Sequence, residues 1–287
     1  MVVSTVPALL LFTIAHAGQA QTTVSSTLQN EIQFSYSLLN LLPQPIIDPT
    51  TDPPGNFTNV IPRDFDPGKT NLVQASWLSG IGCPTNATIA LPNADFTGVG
   101  SFSTYTDPAC PTGDLNDQRN QGLLLVKTGP TITNFASATA ELINVKGMTL
   151  TDLGYDIRKP GVGSAFGPSG SHCGAGAPRF NVTTTTGFFF IGCSSPPPDS
   201  EVDGQGWIRL RWGSPSVLMG FCFAPSPTTT CPFNFDLVPV TGAVQRIVII
   251  FDEAQDDFGG PDAFGAAILD NIDVNGTLVG RGPVTAN

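Results

Sequence analysis

The carboxylates near the C-terminus are the densest chemistry in this sequence. Asp252, Glu253, Asp256, Asp257 and Asp262 lie in one glycine-containing turn between apolar runs, and Asp270 sits on the run that follows. Calcium takes six to eight oxygens in flexible geometry, which a turn rich in Gly and Asp can supply. Asp252, Asp256, Asp257, Asp262 and Asp270 are therefore the candidate ligands of a structural calcium ion. No EF-hand spacing occurs, and a solvated acidic loop stays open as the plainer reading. Glycoside hydrolysis needs two carboxylates roughly 5 to 10 Å apart, and Asp252 or Glu253 with Asp270 would supply them from neighbouring strands. His172 is the only histidine besides His16. A Ser-His-Asp or Cys-His site must use it, yet no Gly-x-Ser-x-Gly elbow is present, and beside Cys173 in a Gly-rich loop it reads as a turn residue. A lyase site pairing His172 or Tyr155 with Arg179 has no positive support. The stretch from Gly174 to Arg179 matches neither a P-loop nor a dinucleotide-binding fingerprint.

A binding surface is the other chemistry in view. Trp207, Arg209 and Arg211 alternate with Ile208, Leu210 and Trp212, so the first three share one strand face. An exposed Trp flanked by Arg is a sugar platform, with a flat apolar ring for C–H contacts and charged donors for hydroxyls or uronates. The competing reading is a Trp packed under Arg stems or under the N-terminal arm.

Six cysteines, Cys83, Cys110, Cys173, Cys193, Cys222 and Cys231, contain no Cys-x-x-Cys pair for zinc. An even count in an exported chain reads as disulfides. Pairing sequence neighbours gives Cys83–Cys110, Cys173–Cys193 and Cys222–Cys231, each closing a turn-rich loop. Export itself is read from the apolar residues 2–15 followed by Ala15, His16 and Ala17, a signal peptide over 1–17, with a second cleavage possibility after residue 20. Asn56, Asn86, Asn181 and Asn275 head Asn-x-Ser/Thr sequons, the acceptors of N-glycosylation in a eukaryotic secretory pathway.

The elements that must hold these groups follow from composition. Only 12 Lys+Arg and 23 Asp+Glu stand beside 31 Gly and 26 Pro. Gly and Pro at that density interrupt almost every window a long helix would need, while 40% hydrophobic content with 19 Phe is enough for a core. The net charge of −11 lacks the basic face that nucleic acid or an anionic membrane requires, and no run reaches the roughly 18 apolar residues of a membrane span. Seven prolines between Pro43 and Pro67 make residues 18–70 an extended N-terminal arm.

From residue 71 to 287 the sequence reads as one β-sandwich domain. Ala136, Ala138, Ala140 and Leu142 alternate with polar residues, as do Leu153, Tyr155 and Ile157. Phe188 to Ile191 and Ile247 to Phe251 are unbroken apolar runs, the mark of strands covered on both faces. Together with 123–127, 180–182, 207–212 and 266–274 they make eight or more strands, the count of a jelly roll. In the last of them Ile268, Asp270, Ile272 and Val274 share a parity. The expectation is an Asp270 carboxylate among core-facing residues, where it must be paired, hydrogen-bonded or metal-bound.

Leu269, Asp270, Asn271 and Ile272 resemble the aliphatic-Asp-Asp/Asn-aliphatic last strand of the galactose-binding-like jelly rolls, the fold of many carbohydrate-binding modules. That resemblance implies a jelly-roll sandwich and a glycan-binding role, and it puts a structural calcium ion beside Asp270. The C-terminal string and the stretch from His172 to Val182 also look like those of exported proteins ending in Leu-Asp-Asn-Ile-Asp-Val-Asn-Gly, a likeness that brings no activity with it. The reading is thus a secreted, non-catalytic all-β protein that binds a polysaccharide or glycoconjugate. A carbohydrate-active enzyme using carboxylates of the 252–270 hairpin, or a structural matrix protein, are its alternatives.

Overall fold

Turn chemistry cuts this chain into short strands, and a computed structural model describes residues 56–129, 136–159, 177–193, 196–223, 236–252 and 264–283. All of them belong to the second of two units, Met1–Pro45 and Ile46–Asn287. In chain order the strands are β1 (Asn59–Phe65), β2 (Val73–Ser79), β3 (Ala87–Pro92), β4 (Val99–Tyr105), β5 (Gln121–Thr128), β6 (Ser137–Ile143), β7 (Asp152–Arg158) and β8 (Arg179–Thr184). The series continues with β9 (Phe188–Ile191), β10 (Ser200–Asp203), β11 (Ile208–Gly213), β12 (Met219–Phe223), β13 (Asp236–Pro239), β14 (Val244–Phe251), β15 (Phe264–Val274) and β16 (Thr277–Val279). No helix occurs among the described residues, and none is therefore long and apolar enough to cross a membrane.

Two antiparallel sheets form a jelly-roll sandwich. The first runs β1-β6-β14-β8-β9-β12-β13, and the second runs β10-β11-β7-β15-β5-β2 with β16 added to β15. The chain passes from β5 to β6 to β7 to β8 by changing sheet each time, so sequence neighbours face one another across the core. The alternating residues meet there as their period requires: Ala138, Ala140 and Leu142 from one side, Leu153, Tyr155, Ile157, Ile208, Leu210 and Trp212 from the other. Tyr155, Phe180 and Trp212 pack at centroid distances of 5.3 to 6.3 Å, tying the two sheets at the centre. The strands β9 and Ile247 to Phe251 of β14 are buried throughout, as unbroken apolar runs demand.

Two expectations about boundaries change. The sandwich begins before residue 71, because β1 pairs with β6 from Asn59↔Ile143 to Phe65↔Ser137. Its Pro62 lacks a ladder donor, which is tolerated because β1 is the edge of its sheet. The last strand also continues past a two-residue turn, Asn275 and Gly276, both left-handed at φ 52° and 80°. That is the backbone of a tight β-hairpin turn, and it adds β16.

Asp270 is buried, but not in the core. Opposite β7, the pairing Asp270↔Asp156 is followed by Asp273↔Gly154, so two residues of β15 face one of β7. This bulge, with Asn271 left-handed at φ 45°, inverts the parity. Ala267, Leu269, Ile272 and Val274 face the core, while Ile268, Asp270 and Asp273 lie on the outer face of the second sheet.

Candidate functional site

The outer face of the second sheet is covered by a flap, residues 82–114, whose ends are joined by the Cys83–Cys110 disulfide. Neighbour pairing holds for this bond. Cys193 and Cys222 are disulfide-bonded too, and Cys173 and Cys231, which the same rule assigns to them, lie outside the described residues. Beneath the flap Cys83, Ala109, Cys110 and Trp207 form a small second core that Ile268 joins. Trp207 is only 2% exposed. Its strand face is the one the alternation assigned, but the disulfide and Ala109 sit on the ring, so it is no open sugar platform.

The arginines of that face are engaged as well. Arg209 grips Asp156 through both carboxylate oxygens, Nε to Oδ1 at 2.8 Å and Nη2 to Oδ2 at 2.8 Å, and donates to Thr112 of the flap. Arg211 bridges Asp156 at 3.2 Å and Asp273 at 3.0 Å. At Arg209 burial works against the charge, yet Asp156, with Asp273 and Asp270 beyond it, outweighs burial and holds the guanidinium above its ordinary range. At Arg211 burial wins and the shift is downward. These cations serve an internal network in which Asp156 is the shared anion, so they are not free donors for uronates.

Asp270 is the exception in this network. Its Oδ2 accepts from the Cys83 N–H at 2.7 Å and its Oδ1 from the Asn271 N–H at 2.6 Å. Burial pushes its carboxyl well above the usual carboxylate range. The two N–H bonds oppose that shift, and the nearby charges of Asp156 and Asp117 add to it. The sulfurs of Cys83 and Cys110 and one oxygen of Asp156 lie within 4.8 Å of one another. Two sulfurs bonded to each other offer no thiolate, so that trio is not a metal site.

Asp252 is elsewhere. Arg179 forks onto it, Nη1 to Oδ1 at 2.8 Å and Nη2 to Oδ2 at 2.6 Å, and both side chains are buried. The charge of Lys127 also reaches Asp252, and Lys127 pairs with Gly265, five residues before Asp270 on β15. Asp252 thus belongs with Arg179 of β8 in the first sheet, and Asp270 with the flap on the outer face of the second. Tyr155 is no base: its hydroxyl, inside the core, donates to the Pro178 carbonyl at 2.7 Å and accepts from Cys193 N–H at 3.0 Å. His172, Glu253, Asp256, Asp257 and Asp262 lie outside the described residues.

The sequons separate by exposure. Asn56 and Asn86 are exposed. Asn181, in β8, is 0% exposed, which leaves no room for a glycan in the folded protein. Asn275 staples the loop before β7, accepting from Thr151 and Asp152 N–H and donating to the Thr149 carbonyl.

The feature that sequence reasoning missed is the flap's own hairpin, β3–β4. It pairs with neither sheet. Ala90 stands opposite Phe102 and Pro92 opposite Val99, giving one face an apolar strip. Phe96 at the turn is 80% exposed, Phe102 69% and Val99 58%. The turn is organised by Asn93, whose Oδ1 accepts Thr97 and Gly98 N–H. The root is held by Asn86 N–H on the Thr106 hydroxyl at 2.9 Å and by the Tyr105 hydroxyl on Asp107 and Gln205. Replacing Cys83 and Cys110 by Ser opens a 27-residue separation. The expected loss is roughly 3 to 4 kcal/mol, measured by urea denaturation, with Trp207 fluorescence shifting to that of a hydrated indole.

The fold is thus a jelly-roll β-sandwich carrying a disulfide-closed flap. No family model matches the chain, and no curated protein does. Among solved structures it is similar to the family 11 carbohydrate-binding module of the cellulosomal cellulase Lic26A-Cel5E of Clostridium thermocellum. The identity is 12%, the match covers 80% of this chain and 94% of that one, and the TM-score is 0.32.

Proposed function

We propose that the protein is a secreted, non-catalytic binding module that contacts a polysaccharide or glycoconjugate through the β3–β4 hairpin. The observation that carries this reading is the exposure of Phe96, Val99 and Phe102 on a ribbon that pairs with neither sheet. A two-stranded ribbon gains no folding stability from bare rings, and clustered exposed apolar groups mark contact surfaces. Rings offer flat faces to sugar C–H groups, and the paired Thr88 and Thr104 lie on the same ribbon face as Phe102. Asp95 is the only charged residue from 87 to 105, which favours an uncharged polymer. Each hairpin face is about 20 Å long and about 10 Å wide, far below the roughly 800 Å² per partner of a stable protein interface. Disulfides belong with an oxidising compartment, in keeping with the leader-like residues 1–17.

The hydrolytic alternative finds no support in Asp252 and Asp270, which are apart and buried. Calcium remains a proposal through Asp256, Asp257 and Asp262. The test is retention on cellulose, chitin, mannan and β-glucan, with the Phe96→Ser/Phe102→Ser variant beside the natural chain and light scattering to follow self-association. Retention of the natural chain alone supports the reading. No retention on any polymer, or equal retention of both proteins, overturns it, and dimerisation through the hairpin would replace it.

A further inference from the structure

We infer that Asp270 and Asn271 are a hydrogen-bonded latch that positions the flap on the second sheet, in the place where the resemblance puts a calcium ion. The inference is independent of the ligand and is tested without one.

Both carboxylate oxygens of Asp270 receive a backbone N–H, one from Cys83 on the flap and one from Asn271. An N–H aimed at an oxygen brings the positive end of a dipole where a cation would otherwise come. The bulge then turns the Asn271 side chain onto the same outer face. Its Oδ1 accepts from Asp114 N–H at 2.9 Å and its Nδ2 donates to Asp156 Oδ2 at 2.8 Å. Two adjacent residues therefore hold both ends of the flap, Cys83 at its start and Asp114 just beyond Cys110. Asp114 continues the chain of contacts, accepting from Gly280 N–H at 3.1 Å and pairing with Arg281 at 3.3 Å.

The space around the pair is closed by backbone. A Cβ on Gly82 would meet Asp270 Oδ2 at 2.8 Å and run into the Gln121 carbonyl, and one on Gly280 would press on Asp270 Oδ1 and Asn271 Oδ1. Glycine is required at both positions by this close approach. Asp270 Oδ1 and Oδ2 and Asn271 Oδ1 are each already met by a backbone N–H, where calcium would need those oxygens turned toward the ion among six to eight. The residues present do not suit calcium at Asp270; they suit N–H donors.

The experiment is hydrogen exchange on the full chain, natural and Asn271→Gly, with melting curves in calcium and in chelator. Asn271→Gly keeps the left-handed backbone and deletes only the side-chain bonds, so it folds where Asp270→Ala need not. Amides of residues 82–114 should exchange at least tenfold faster in Asn271→Gly, with β6, β8 and β14 unchanged, and any difference in Tm between calcium and chelator should be the same, within about 1 °C, in the natural chain and in Asp270→Asn. Unchanged flap exchange in Asn271→Gly overturns the latch. So does a calcium-dependent rise in Tm that is lost in Asp270→Asn.

Discussion

Replacing Arg179 by Met should destabilise the protein by about 3 to 5 kcal/mol, the cost of leaving one partner of a buried ion pair uncompensated. The expectation follows from a two-bond fork at 2.8 and 2.6 Å between side chains 4% and 1% exposed. Burial alone would raise the Asp252 carboxyl, but Arg179, with Lys127 behind it, outweighs burial and holds it below the ordinary value. A carboxyl lower in the folded than in the unfolded chain adds stability above the unfolded pKa, near 3.8, that is lost as pH falls through the folded value. Urea midpoints should therefore differ most near pH 7, and the gap between the natural chain and Arg179→Met should narrow as pH falls below about 3.8 toward 2. A variant within about 1 kcal/mol of the natural protein at pH 7 would contradict the pair's role.

The second large effect concerns binding. Phe96→Ser with Phe102→Ser should weaken retention on the bound polysaccharide at least tenfold and leave the melting temperature unchanged. Both rings are solvent-exposed, and surface substitutions away from packed features stay within about 0.5 kcal/mol. Loss of retention without loss of fold separates a contact surface from a structural one. A fall in Tm of several degrees would show instead that the rings pack, contrary to their exposure.

How far these groups could be read from sequence depends on what their neighbours were. The eight strands read from sequence were legible because burial leaves either period two, as at Ala138, Leu153 and Ile208, or an unbroken apolar run, as in β9 and Ile247 to Phe251. β3 and β4 have no core face, so Ala87 to Pro92 and Val99 to Tyr105 carry no such pattern. β1 was hidden by counting Pro62 as arm, although an edge strand accepts it. Asn275-Gly276 after an apolar run is the sequence signal for the turn into β16. Trp207, Arg209 and Arg211 do share a face, but their exposure was set by a flap about a hundred residues away in sequence. The burial of Asp270 was foreseen and its face was not, because a one-residue bulge inverts every parity beyond it. The Arg179–Asp252 pair, 73 residues apart, leaves no local trace.

A hydrogen-exchange footprint distinguishes the β3–β4 hairpin as the contact element from every other surface. The natural chain would be compared free and saturated with whichever polysaccharide retains it. Slowed exchange confined to residues 87–105 is the predicted result. Slowed exchange on another surface, with the hairpin unchanged, would contradict that assignment.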